Sequence, residues 1–173
     1  MKTTIKALTV FVALLAVVTG LSIWKPVAAS RIIWPFVENR MLDEPFLGVT
    51  ASGTIEANLF PIYATGASTG AIVNAANRFI ASLTSEQQAR LLFPVDDSEW
   101  RRWANIHFST RQGVGFLDFS EQQAEAAINL LRASLSARGL ETAQNIMKLE
   151  GHLADLMDDH NQYGEQRYWF TIM

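Results

Sequence analysis

One pentapeptide in the chain has the spacing found around the nucleophile of a serine hydrolase. Residues 66–70, GASTG, fit Gly-x-Ser-x-Gly, in which the serine lies on a sharp turn between a strand and a helix. Asp118 and His160 follow in the order that these hydrolases use for the acid and the base. Too few candidate strands precede Ser68 to build a hydrolase sheet, and Pro61 interrupts the one that does. We therefore favour the alternative that Ser68 caps a helix.

The segment EWRRWANIH holds the densest group of side chains suited to binding a ligand. Trp100 and Trp103 lie three residues apart and would share a helix face. Guanidinium groups stack on indole rings, and Arg101 and Arg102 could grip a carboxylate or phosphate with paired hydrogen bonds. His107 follows and could act as a general acid or base near neutral pH. The segment therefore suggests a Trp-lined pocket for a small anionic ligand, with His107 as the candidate catalytic residue.

A structural role for the same segment stays open and is favoured. Buried aromatic side chains usually serve packing, so both tryptophans would be core or lid residues. The two arginines would then pair with the nearby acids Asp96, Asp97 and Glu99.

A third candidate lies near the C-terminus, in the segment HLADLMDDHNQYGE. His152, Asp155 and Asp159 recur at spacings of three and four and could share a helix face as metal ligands. An EF-hand loop beginning at Asp159 is excluded because its final glutamate position is occupied by Phe170. Polar triplets of this kind are common on solvated helix faces. We expect no metal site here, and the sequence identifies no cofactor.

The N-terminus has the pattern of an export signal. Lys2 and Lys6 precede an uncharged apolar run of 18 residues, 7–24, and Val27 and Ala29 are small residues suited to a cleavage site after Ala29. The run is also long enough to span a membrane as a retained anchor. The residues at the cleavage site favour removal of 1–29. In both cases we expect the body of the protein outside the cytoplasm, periplasmic or secreted, with residues 7–24 as its membrane contact if uncleaved.

The amino-acid composition restricts the kinds of molecule that the protein could bind. The 173 residues are 49% hydrophobic and include 14 basic and 17 acidic residues, a net charge of −3 that becomes −6 without residues 1–29. Such an acidic protein would repel phosphate backbones, so we expect no nucleic-acid partner. There is no cysteine, which excludes disulfides and thiolate metal sites. A small molecule is the partner that the aromatic segment suggests.

The periodicity predicts a mostly helical α+β domain over residues 46–173 with a small antiparallel sheet, preceded by the hydrophobic signal or anchor helix and a linker over 30–45. Short strands are expected within 46–64 and at 166–173, pairing with each other. The first helix should begin at Ser68 or Thr69. Its inward stripe is Val73, Ala76, Ile80 and Leu83.

Two capping boxes mark later helices. Thr84 with Gln87 should begin a short helix, and Ser120 with Gln123 a longer one that ends at Gly139. Its predicted inward stripe is Ala124, Ala127, Leu131 and Leu135. A last helix is expected from Glu141 to about Asp158, with Ile146, Leu149, Leu153 and Leu156 facing inward.

Four blocks of the sequence resemble one family. GTIEANLFPIYATGAST, FPVDDSEWRRWANIHF, LLRASLSARGLETAQNIMKLEGHL and YGEQRYWFTI occur in the family's order and cover most of residues 46–172. They are similar to the bacterial domain-of-unknown-function family numbered 3500, DUF3500. The resemblance implies no activity and assigns no catalytic residue. Family members continue past the aromatic strand into Trp-Gly-Trp and Gly-His-His segments, so the resemblance implies the N-terminal part of a domain that is incomplete at its C-terminus.

Three functions stay open at this point. The protein could be an extracytoplasmic enzyme that acts on a small anionic substrate, a non-catalytic ligand-binding or assembly module, or an inactive truncated member of its family. The sequence does not decide whether it is an enzyme.

Overall fold

The computed structural model describes residues 26–45, 54, 63–106 and 109–173. The chain divides into two compact units, the first being Met1–Gly48 with Trp100–Thr110 and the second Val49–Glu99 with Arg111–Met173. The predicted signal or anchor helix, His107 and the predicted strands between 46 and 62 lie outside the described residues. Among the helices that are described, none has the length and hydrophobicity needed to cross a membrane.

The described elements confirm a mostly helical α+β protein. The helices are α1 (Pro26–Asp43), α2 (Gly70–Ser82), α3 (Ser85–Leu91), α4 (Glu121–Ser134) and α5 (Ala137–Met157). Two 3-10 helices cover Ser98–Arg101 and Phe116–Asp118. The sheet has two short strands, β1 (Val114–Gly115) and β2 (Trp169–Phe170).

The first unit is built on α1. The predicted linker, residues 30–45, lies mostly within this helix. Pro35 is inside the helix, where it has no backbone N–H to donate. Phe36 is 76% exposed, whereas Glu38 is only 4% exposed. A buried carboxylate on a largely exposed helix requires a partner.

Both predicted capping boxes are confirmed. The Thr84 hydroxyl accepts the N–H of Gln87 at 3.2 Å, and the Ser120 hydroxyl accepts the N–H of Gln123 at 3.3 Å. The two glutamine amides also bond to each other, because Gln123 Nε2 donates to Gln87 Oε1 at 2.9 Å. Gln123 Nε2 donates in addition to the Ser82 carbonyl at 2.9 Å. The starts of α3 and α4 and the end of α2 are therefore joined by one polar network.

The junction between α4 and α5 differs from the prediction. The sequence predicts that α4 ends at Gly139, but it ends at Ser134, and α5 already begins at Ala137. Ser136 is the N-cap of α5 and accepts the N–H of Gly139 at 3.0 Å. Arg-Gly is typical of a helix end, yet here the glycine lies in the first turn of the next helix, because the serine three residues before it supplies a cap.

The sheet pairs the predicted C-terminal strand with a segment that the sequence does not mark as a strand. β1 and β2 are antiparallel, with Val114 opposite Phe170 and Gly115 opposite Trp169. An isolated parallel bridge joins Leu92 to Ile172. Most of the predicted partner, residues 46–64, lies outside the described residues, so that pairing stays a prediction. A two-residue strand in a glycine-containing loop is too short to show a hydrophobic alternation, which is why β1 is not apparent from the sequence.

The core of the second unit lies where α2, α4 and the sheet meet. Phe79, Leu91, Val114 and Ala127 are each 0% exposed. The Phe79 ring packs edge-on against Phe119, with centroids 5.4 Å apart. Ala127 and the partly buried Ala124 confirm part of the stripe predicted for α4, whereas Leu135 at its end is 40% exposed.

The stripe predicted for α2 is confirmed at its C-terminal end, where Leu83 is 6% exposed and Ile80 packs against the core, whereas Val73 is 50% exposed. The buried residues within α2 are Ala75 and Phe79.

In contrast, α5 presents a different face from the one predicted. In α5 the predicted inward residues Ile146, Leu149 and Leu156 are 50%, 66% and 69% exposed. The buried residue of α5 is Ala154, beside Gly151, which packs against Glu165. Small residues on this face allow close approach of the chain, and the larger apolar side chains are left outside.

Candidate functional site

The predicted ligand-binding segment begins in a 3-10 helix. The Oδ1 atom of Asp97 accepts the N–H of Glu99 at 2.9 Å and so caps this turn. The turn covers only Ser98–Arg101, so it ends before Trp103, which the sequence places on one helix face with Trp100. From Trp100 onward the segment belongs to the first unit, together with α1.

Arg102 forms an ion pair that is largely withdrawn from solvent. Its Nη1 lies 2.6 Å from Glu38 Oε2, and the two side chains are 12% and 5% exposed. The indole N–H of Trp34 donates to the other carboxylate oxygen of Glu38 at 3.4 Å. A charge-assisted bond at this distance is strong, and its partner is a residue of α1 that the sequence does not suggest.

Arg101 binds the end of the same helix. Its guanidinium donates to the carbonyls of Leu42 at 3.1 Å and Glu44 at 2.9 Å, with a longer contact of 3.4 Å to Met41. The last carbonyls of a helix lack partners within it and carry partial negative charge, so a cation there is stabilising. Arg101 and Arg102 therefore attach the segment to α1 at two points.

The two tryptophans of the segment point largely into solvent. Trp100 is 50% exposed and Trp103 is 83% exposed. Of the favoured alternative, that both are core or lid residues, these exposures exclude the core role. The candidate site therefore consists of the exposed indoles of Trp100 and Trp103. The adjacent side chains of Arg101 and Arg102 bind α1 and so attach this segment to the helix. The role predicted for His107 lies outside the described residues and stays a prediction.

Arg102→Met should lower the free energy of unfolding by about 2 kcal/mol, because Glu38 would be left buried without its cation. Urea denaturation followed by circular dichroism measures the change. The matched control is Arg40→Met, which removes an exposed arginine from α1. The double variant Arg102→Met with Glu38→Leu should recover most of the loss, since no charge then remains buried. Equal midpoints for Arg102→Met and Arg40→Met would contradict this account.

The serine motif is explained by a helix start. Ser68 Oγ accepts the N–H of Gly70, the first residue of α2, at 3.3 Å, although the N-cap position belongs to Thr69. Residues 63–69 form no strand. Asp118, the candidate acid, accepts from Arg90 at 3.1 Å, and His160, the candidate base, lies 3.6 Å from Asp155. Each member of the hypothetical triad thus has a different partner. Ser68 is not the N-cap residue predicted as one possibility, but its hydroxyl accepts the first N–H of α2.

The acidic segment at the end of α5 is largely solvated. Asp155 is 70% exposed on its side chain, and Asp159 accepts the N–H of Gln162 at 3.1 Å. Within the ranges that the structure describes, no group of three or more His, Asp or Glu side chains is arranged to hold a metal ion.

A groove between α2 and α4 holds polar side chains whose convergence is not apparent from the sequence. Arg78 and Arg132 line it from opposite helices, together with Asn74 and Asn129. The signal that could have found it is the spacing, since Asn74 and Arg78 are four residues apart and Asn129 and Arg132 three.

Fold and site together define a mostly helical α+β protein with an exposed aromatic segment. The chain belongs to the family described as Protein of unknown function (DUF3500), whose model matches residues 65–173, more than half of the chain. This confirms the resemblance found in the sequence. No curated protein and no solved structure gave a significant match.

Proposed function

We propose that the protein is an exported, non-catalytic binding module that uses Trp100 and Trp103 to hold a small molecule with an aromatic or apolar face. The observation that carries the proposal is the 83% exposure of Trp103 beside two arginines that are already bound to α1. Tryptophan is enriched at binding hot spots because it offers a large contact area with few rotatable bonds. A backbone attached in advance reduces the entropy lost on binding.

The contacts of the arginines favour a binding module over an enzyme for anions. An anionic substrate could use Arg102 only by competing with Glu38 for a pair at 2.6 Å. Arg101 is similarly engaged with helix carbonyls. The enzyme alternative depends on His107 as acid or base, and none of the described contacts adds to it.

The exported location is supported by the sequence alone. Lys2 and Lys6 before the apolar run of 7–24 are the features that a secretion signal requires. The acidic balance of the remaining chain agrees with a small-molecule partner in preference to a nucleic acid.

One experiment tests the binding surface and its charge preference. The full chain is labelled with 5-fluorotryptophan, and its five tryptophan resonances are assigned by single substitutions. It is then titrated with benzyl alcohol, benzylammonium and benzoate, which share one ring and differ in charge. We expect the resonances of Trp100 and Trp103 to shift with all three, and benzylammonium to bind at least as well as benzoate, because indole faces attract cations.

Single substitutions distinguish the proposed binding module from an enzyme that acts on an anionic substrate. Trp103→Ala should weaken benzylammonium binding about tenfold, whereas Phe36→Ala, an exposed aromatic of the same unit, should leave it unchanged. A preference for benzoate that disappears in Arg102→Met would favour the anion-binding enzyme instead. Shifts confined to other tryptophans would refute the proposed surface. Fractionation of expressing cells should place the chain outside the cytoplasm, and recovery in the cytoplasm would refute export.

A further inference from the structure

A groove between α2 and α4, in the second unit, contains two overlapping cavities of about 490 and 360 Å³. Both are lined by Ala75, Arg78 and Asn129. Ala75 is 3% exposed and lies at the floor of the groove. The floor consists of small side chains, and longer side chains form the walls. Volumes of this size are within the range of small-ligand sites.

The walls of the groove are polar on both helices. On α4 the polar lining recurs at spacings of three, four and three, which places it along one side of the helix. These residues are Gln122, Glu125, Asn129 and Arg132. On α2, Asn74 and Arg78 lie four residues apart and line the same space.

The smaller cavity concentrates positive charge. Arg78 and Arg132 reach it from different helices, and its lining contains no acidic residue. Arg132 donates to Asn129 Oδ1, while Arg78 has neither an ion pair nor a hydrogen bond within the part of the chain that the structure describes. Two guanidinium groups at one cavity repel each other unless an anion lies between them. In a protein with more acidic than basic residues, this convergence suits a carboxylate ligand.

The opposite charge lies at the other end of the groove. Glu125 and Gln122 line the larger cavity, together with Arg78. Seven residues separate Glu125 from Arg132 along α4, which corresponds to about 10 Å. An extended peptide of three residues also spans about 10 Å. The side-chain amides of Gln122, Asn129 and Asn74 lie between or beside these charges and can both donate to and accept from peptide groups.

We propose that this groove binds a short peptide of about three residues with free termini. Its carboxylate lies between Arg78 and Arg132, its ammonium group lies at Glu125, and its peptide groups bond to the amide side chains of the walls. This site is separate from the Trp100–Trp103 surface, so it does not depend on the function proposed above.

The test uses the full ¹⁵N-labelled chain and four probes, triglycine, N-acetyl-triglycine, triglycinamide and inorganic phosphate. Triglycine should give saturable shifts at backbone amides of α2 and α4. Arg78→Ala and Arg132→Ala should each weaken its binding about tenfold. Arg138→Ala removes an exposed arginine of α5 that does not line the groove, so it should change the binding by less than about twofold.

The modified probes test each end of the peptide. Glu125→Gln should weaken triglycine but leave N-acetyl-triglycine unaffected, because the acetylated probe has no ammonium group. Triglycinamide should be insensitive to Arg78→Ala, because it has no carboxylate. The proposal is overturned if phosphate binds as tightly as triglycine, if Arg138→Ala weakens triglycine as much as Arg78→Ala does, or if no shifts appear in α2 and α4. Circular dichroism spectra equal to those of the parent chain ensure that the variants are folded.

Discussion

Phe79→Ala is expected to lower the free energy of unfolding by about 4 kcal/mol. The side chain is 0% exposed and contacts two other rings, Phe119 at 5.4 Å and Phe170 at 5.5 Å between centroids. Its removal would leave a cavity at the point where α2, the segment before α4 and β2 meet. The loss combines the transfer free energy of the ring with the cost of the cavity. Urea denaturation followed by circular dichroism at 222 nm measures it.

Val73→Ala is the matched control for Phe79→Ala. It lies on the same helix and is 50% exposed, so its truncation should cost less than about 1 kcal/mol. The sequence assigns Val73 to the inward stripe together with Ile80 and Leu83, which do pack in the core, but Val73 itself is exposed and Phe79 is buried. Equal losses for the two variants would show that Val73 belongs to the core as predicted and that Phe79 is not at its centre.

The local features of the fold could be predicted from the sequence, because their partners are close along the chain. The capping boxes at Thr84 and Ser120 involve a residue three positions later, and both were identified correctly. The prediction of helix ends was wrong where one residue fits two structural roles. Gly139 could end one helix or lie in the first turn of the next, and only the bond from its N–H to Ser136 decides between them.

The faces of the helices were harder to predict for a different reason. Both α2 and α5 carry apolar residues on more than one side, so hydrophobic spacing alone does not determine which side is buried. In α5 the predicted stripe of Ile146, Leu149 and Leu156 has correct helical spacing, but it is exposed. The buried face instead contains Ala154, a small residue that carries little weight in a hydrophobic pattern.

For the candidate site, the partners of the two arginines could not be predicted from the sequence. The sequence identified residues 99–107 by their composition, but it offered only nearby acids as partners for the arginines. Glu38 is 64 positions away from Arg102, and the carbonyls that bind Arg101 belong to residues almost as distant. Long-range pairs of this kind leave no trace in the spacing of one sequence. The spacing of Asn74 with Arg78 and of Asn129 with Arg132 is visible within each helix, but the groove between α2 and α4 exists only when the two helices are packed together.

Gly113→Ala is expected to lower the free energy of unfolding by about 3 kcal/mol. Gly113 precedes β1 and has a φ of +89°, in the left-handed region that costs other residues about 1–2 kcal/mol. An added Cβ would in addition collide with the backbone carbonyl of Phe170 in β2. Backbone atoms of a paired strand cannot move aside as a flexible side chain can, so β1 and β2 would have to separate. Urea denaturation reports the loss.

Gly66→Ala separates the two contributions to that loss. Gly66 also has a positive φ, +76°, but a Cβ there would meet no atom within 4 Å. Its substitution should therefore cost only the conformational strain, about 1 kcal/mol. The excess for Gly113→Ala then measures how closely the two strands must approach at Phe170. If both variants lost the same stability, the pairing of β1 with β2 would not depend on this contact, and the register that places Val114 opposite Phe170 would have to be reconsidered.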